Sequence, residues 1–205
     1  PKREPKGGHS DMRDFLINEI TKAVSLTEQM LADEDLHATV EEIAKAGVAA
    51  IRRGGKVMFA GNGGSAADSQ HLAAELVSRL AFDRPGLPSQ ALTTDSSILT
   101  AVGNDYGYEE VFARQVQACG SPGDLLIGIS TSARSKNIIA AFTAAREKDI
   151  GTAGFTGKHG RDMSALCDHL VRIPSEETQK IQEGHIIVGH IICGLIEREM
   201  FVDQR

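Results

Sequence analysis

The sequence predicts an α/β domain built on a five-stranded parallel sheet with helices on both faces. Three observations lead there. Short apolar runs of strand length alternate with longer segments of helical period. Two runs end in glycine- or hydroxyl-rich stretches, where ligands bind in such sheets. The 205 residues suffice for one domain with a proper core and are tight for two.

Residues 1–11, PKREPKGGHSD, lack the apolar segment of a signal peptide and read as a mobile leader before a single domain over 12–205. Phe15, Ile20, Val24, Leu26 and Met30 fall at roughly helical spacing and predict a helix over 14–31. A second helix over 36–53 is stopped by Gly54 and Gly55. Two helices ahead of any strand are an unusual opening. The segment 12–53 therefore either caps the sheet or packs against another copy of the chain. The alternation then begins: strand 56–60, helix 66–80, a short strand 90–93, and helical segments 96–102 and 108–118. Strand 124–130, helix 136–148, strands 150–155 and 169–173, and a long helix 178–201 complete it.

Composition narrows the function classes. Aromatic residues make up 4% of the chain and Trp is absent, which leaves little for stacking nucleic-acid bases. A net charge of −6 also argues against a nucleic-acid partner. An anionic ligand must then be gripped locally, by amides and hydroxyls. Cys119, Cys167 and Cys193 show no CxxC spacing, so a reducing, cytoplasmic setting is the simplest expectation. The most apolar stretch, 186–196, is too short to cross a membrane and contains His190.

Two loops carry the chemistry. In Gly61-Asn62-Gly63-Gly64-Ser65 the glycines permit close backbone approach, and Ser65 is placed to cap the following helix, whose first amides then face a ligand. Alone, such a stretch is most simply a tight turn; it is neither a Walker A motif nor GxGxxG. Ser130-Thr131-Ser132-Ala133-Arg134-Ser135 sets four hydroxyls at a strand end, able to donate several hydrogen bonds to phosphate oxygens. Together, both at strand ends, the loops predict a site for a phosphorylated small molecule.

His71 and Glu75 are four apart and share a helix face. Gln182 and His190 are eight apart, about two turns, and share another. His, Glu, Gln and His make a plausible set for a divalent metal such as zinc, provided the two pairs meet in space. Otherwise His71 and Glu75 are a surface pair. His185 is a rival ligand, or a histidine satisfied within helix packing. Beside a carbonyl, Glu75 could take a proton and His190 donate one. Coordination competes with that use of either group.

In GNGGSAADSQH, RPGLP, the GND at 103–105, GISTS and KIQEGH followed by His190, the chain resembles the sugar isomerase (SIS) family. Within that family it looks like members interconverting D-sedoheptulose 7-phosphate and D-glycero-D-manno-heptose 7-phosphate, the first step of ADP-heptose synthesis for lipopolysaccharide core or related heptose glycans. The resemblance covers nearly everything after the leader. It implies a flavodoxin-like three-layer fold, a homotetramer built with the N-terminal helices, sites between subunits, and one zinc per subunit. It matches Asn62, Gly63, Gly64, Glu75, Asn104, Asp105, Ser130, Thr131, Ser132, Ser135 and Gln182 to substrate. It matches His71, Glu75, Gln182 and His190 to the metal, and Glu75 and His190 to the base and acid. The family loop usually reads STSGNS, so Ala133 and Arg134 depart from it. Loss of the glycine bears on the loop backbone, and Arg134 adds a cation for phosphate. Gln179 replaces an acidic residue of some relatives. A non-catalytic relative that binds a replication initiator protein is the alternative, but it lacks counterparts of Glu75 and His190. Other SIS enzymes, such as arabinose 5-phosphate isomerases, commonly carry further domains.

Overall fold

The computed structural model describes residues 9–201. Residues 1–8 of the expected leader lie outside them, and helix α1 already begins at His9 (His9–Leu31). Next come α2 (Glu34–Arg52), β1 (Val57–Gly61), α3 (Gly64–Val77), β2 (Ser89–Ala91), α4 (Ser96–Asp105) and α5 (Ala113–Cys119). The chain continues through β3 (Leu125–Ile129), α6 (Lys136–Arg146), β4 (Gly151–Thr156), β5 (His169–Arg172) and α7 (Thr178–Phe201). Every expected strand is present. The helix expected over 108–118 is divided: a 3-10 turn at Tyr108–Glu110 precedes α5. Another 3-10 turn, Arg161–Ala165, had no counterpart in the sequence reading.

All four strand pairings are parallel, in the order β2-β1-β3-β4-β5. Alternate side chains of each strand enter separate cores. Val57 and Phe59 join Leu125, Ile127, Leu72 and Ile192 under α2, α3 and α7. Met58 and Ala60 join Leu126, Phe142 and Val116 under α5 and α6. With both faces covered, β1 and β3 are buried throughout, which is why they read as unbroken apolar runs.

The order places a switch point between β1 and β3: the chain leaves β1 toward β2 on one side, then returns to build β3, β4 and β5 on the other. Gly61 is level with Ile129 in the register, so the segments beginning at Asn62 and Ser130 leave the sheet at the same height.

His185 settles into the packing reading. It is buried on α7, with Nε2 3.1 Å from the carbonyl oxygen of Thr156. Burial, only partly opposed by that bond, pushes its pKa down to about 4 from the ordinary 6.5. The folded chain therefore binds fewer protons than the unfolded one between these values. Stability is fully present above pH 6.5 and falls as the pH drops toward 4, by about 3 kcal/mol at ~1.4 kcal/mol per pH unit. Urea unfolding across pH 4–7 is expected to show this slope, and His185→Gln, which does not titrate, to flatten it.

Candidate active site

The glycine turn is built differently from the expected cap. Gly63, at φ +57 and ψ −121, is the residue before α3, and no side chain caps this end. A residue with a Cβ is strained there. Ser65 lies inside the helix, buried, and its carbonyl oxygen accepts from the Ser69 hydroxyl at 2.8 Å. The expectation that Ser65 caps α3 is thus corrected: the turn closes one residue pair earlier, on backbone alone. Gly64 faces α7, where an added Cβ would come within 2.7 Å of Gln182 Nε2. That contact brings Gln182 to the start of α3.

Further along the two helices, His71 Nε2 lies 2.7 Å from His190 Nε2 and 3.4 Å from Glu75 Oε1. The imidazoles meet edge to face. Their nitrogens and the carboxylate oxygen all fall within 4.8 Å of one another. Pairing two ring nitrogens requires one shared proton, a place a cation can take with release of that proton. Two imidazoles and a carboxylate are a donor set suited to zinc, with room for a further ligand. Asp68, one turn before His71, is held above the ordinary carboxyl range by burial, against the pull of His71 and His190. Sequence reasoning passed over Asp68; its spacing from His71 was the available signal.

The α3 end that carries Glu75 is anchored by Arg84, the first residue of RPGLP. Its guanidinium donates to the carbonyl oxygens of Glu75 and Leu76 at 2.8 and 2.6 Å and to Glu197 on α7 at 3.0 Å. Both Arg84 and Glu197 side chains are at most 2% exposed. Burial raises the Glu197 pKa, but the Leu80 and Ala81 amides and Arg84 outweigh it and hold it below the ordinary value. Nothing in the sequence pairs residues 113 apart, so this clamp was not foreseen.

Beside the turn, the hydroxyl loop folds on itself. Ser130 Oγ and Ser135 Oγ lie 2.9 Å apart, and Ser132 Oγ accepts from the Arg134 amide at 3.2 Å. Ala133 takes the left-handed conformation, φ +56, with its methyl fully buried. The backbone that a glycine would supply is thus kept by alanine. Thr131, Ser132, Arg134, Lys158 and His159 line a cavity of about 290 Å³ next to this loop. Asn62 reaches across to α6, bonding Asn137 at 2.9 and 2.8 Å, and Tyr108 bonds Asn62 at 3.1 Å. Asn137 and Tyr108 were not among the sequence candidates. Asn104 and Asp105 are exposed at the end of α4 and bond each other at 2.8 Å. No hydrogen bond or ion pair among the described residues joins them to the His71 group. Gln179, exposed, donates to Glu177 at 3.4 Å.

A profile described as the SIS domain matches residues 20–157. The phosphoheptose isomerase of Burkholderia pseudomallei is 59% identical over 190 residues, covering 93% of this chain and 96% of the relative. The chain belongs to the SIS-domain family. A second relative, the phosphoheptose isomerase of Aneurinibacillus thermoaerophilus, is 53% identical across 93% of the chain and 96% of its own length. The structure of the Neisseria gonorrhoeae phosphoheptose isomerase superposes with a TM-score of 0.85 at 37% identity, over 91% of this chain and 98% of that one. In such company the protein is a sugar-phosphate isomerase on the α/β fold of this family.

At Ala133 a β-branched side chain meets both the left-handed backbone and a filled core. Ala133→Val is expected to lower stability by about 2–5 kcal/mol. Ala133→Gly loses a methyl but relieves the backbone, and should stay within about 1 kcal/mol of wild type. Urea titration of both variants checks the pair.

Proposed function

We propose that this chain converts D-sedoheptulose 7-phosphate to D-glycero-D-manno-heptose 7-phosphate. The observation that carries the reading is the convergence of His71, Glu75 and His190 beside two loops suited to a phosphorylated ligand. Relatives at 59% and 53% identity are named phosphoheptose isomerases, which supports a phosphoheptose as the substrate class. Ser130, Thr131, Ser132 and Ser135 hold the phosphate, with Arg134 adding charge from the loop. Asn62, Gly63 and Gly64 line the sugar, and Asn104 and Asp105 contact substrate in the assembled protein. Product of this reaction would enter ADP-heptose synthesis in the cytoplasm; no described helix is long and apolar enough to cross a membrane.

His71, Glu75 and His190, with the Gln182 carboxamide, are the residues to hold one zinc per subunit. When bound, it polarises the substrate carbonyl. The chain's own residues move the protons. Glu75, half-buried, takes a proton from C1 of the ketose and returns it to C2. His190 carries a proton between the C1 and C2 oxygens. The charge that collects on oxygen is thereby neutralised, and the double bond moves from C2–O2 to C1–O1. A carboxylate or imidazole bound to a cation is a weaker base, so coordination and proton transfer compete at Glu75 and His190.

A homotetramer is part of this reading. Met12, Phe15, Leu16, Ile17, Ile20 and Val24 are all exposed on α1, more apolar surface than one helix commonly leaves to water. A second copy supplies the cover.

Glu75→Gln keeps shape and removes the base. Turnover of sedoheptulose 7-phosphate should fall by at least about a hundredfold, with light scattering still reporting four chains. Appreciable turnover would remove Glu75 from the role. Protein purified without chelator or added metal should contain about one zinc per chain by elemental analysis. Full activity in metal-free protein would overturn the zinc assignment.

A further inference from the structure

Asn62 is the first residue beyond β1, and its carboxamide is engaged on almost every side. Its Nδ2 donates to Asn137 Oδ1 at 2.9 Å, and Asn137 Nδ2 donates back to Asn62 Oδ1 at 2.8 Å. The Tyr108 hydroxyl donates to that same Oδ1 at 3.1 Å. A carboxamide oxygen offers two lone pairs and its nitrogen two hydrogens. Both lone pairs of Asn62 and one N–H are therefore used, and a single N–H remains.

The partners come from two other elements. Asn137 is only 4% exposed, in the first turn of α6, directly after the hydroxyl loop. The amide pair thus bolts the β1 loop to the β3 loop across the switch point. Tyr108 arrives on the 3-10 turn, which is also pinned to α6 by Glu109 and Lys136 at 3.1 Å. An unrestrained asparagine side chain can swing away from the site; the Asn137 and Tyr108 bonds hold this one in place with one N–H left over.

We propose that Asn137 and Tyr108 are positioning residues that hold the Asn62 carboxamide in place, with its remaining N–H offered to the ligand. The group it meets is then an oxygen acceptor, a hydroxyl, carbonyl or phosphate oxygen. Such a donor is satisfied by a polyol phosphate and left unpaired by an apolar or cationic group, at a cost in affinity. The inference rests on the reading that a sugar phosphate occupies the space between the two loops.

Tyr108→Phe removes one hydroxyl from an exposed ring, and Asn62→Ala removes the group on which it is argued to act. Tyr108→Phe should raise KM for sedoheptulose 7-phosphate about threefold to tenfold, the share of one neutral hydrogen bond, with kcat changed less than about twofold. In the Asn62→Ala background the same change should have no further effect. An equal effect in both backgrounds, or none in wild type, would overturn the proposal. Asparagine-selective 15N labelling gives a readout that needs no turnover. The Asn62 side-chain signal, identified by its loss in Asn62→Ala, should exchange slowly with water in wild type and faster in Tyr108→Phe. Fast exchange in wild type would sink the clamp. Absence of isomerase activity with slow exchange would instead defeat only the functional reading.

Discussion

The approach of α3 to α7 is the contact on which the site depends. Leu72 sits against Gly189, where an added Cβ would come within 2.6 Å of its Cδ1. Only a residue without a side chain lets the helices come this near. The neighbours in sequence, His71 and His190, then face each other at 2.7 Å, and Glu75 follows one turn later. An apolar contact in the core thereby sets the separation of three polar groups at its edge. Arg84 and Glu197 hold the far end of the same crossing. A pair so deeply buried adds little net stability over apolar packing, but losing one partner strands the other charge. Such a device suits the fixing of geometry better than the raising of stability.

The second constraint is the sheet order. Because β1 and β3 are neighbours in register but far apart in sequence, two short loops are delivered to one place without any long excursion of chain. The Asn62–Asn137 pair then ties them together. Rigid strands, a helix crossing and an amide pair together leave few soft degrees of freedom around a ligand, which lowers the cost of ordering on binding.

What was legible in the sequence follows from this physics. Strands buried on both faces leave unbroken apolar runs, so KVMFA and DLLIGIS announced themselves, and the sheet could be anticipated strand by strand. His71 and Glu75 were readable because helical spacing is local. Their meeting with His190 was not, since the contact spans 119 residues; spacing left it as an assumption, which the resemblance to known sugar isomerases strengthened. Reading Ser65 as a cap failed because residue preference for a cap position cannot register a backbone-only turn on Gly63. The break at Tyr108–Glu110 escaped because helical periodicity persists across a short 3-10 turn. Helical spacing left open whether the first two helices cap the sheet or meet another copy of the chain, because a sequence shows that a helix is amphipathic and not what covers it.

In the proposed reaction these residues move a proton between adjacent carbons of a seven-carbon sugar phosphate. It is tested most directly by incubating the protein with sedoheptulose 7-phosphate in deuterium oxide and following the sugar by NMR. Glycero-manno-heptose 7-phosphate is expected to appear with deuterium at C2, because the Glu75 carboxyl exchanges its proton with solvent before returning it. An aldose formed with its C2 hydrogen carried wholly from C1 would contradict proton transfer through Glu75, and no aldose at all would contradict the assigned reaction.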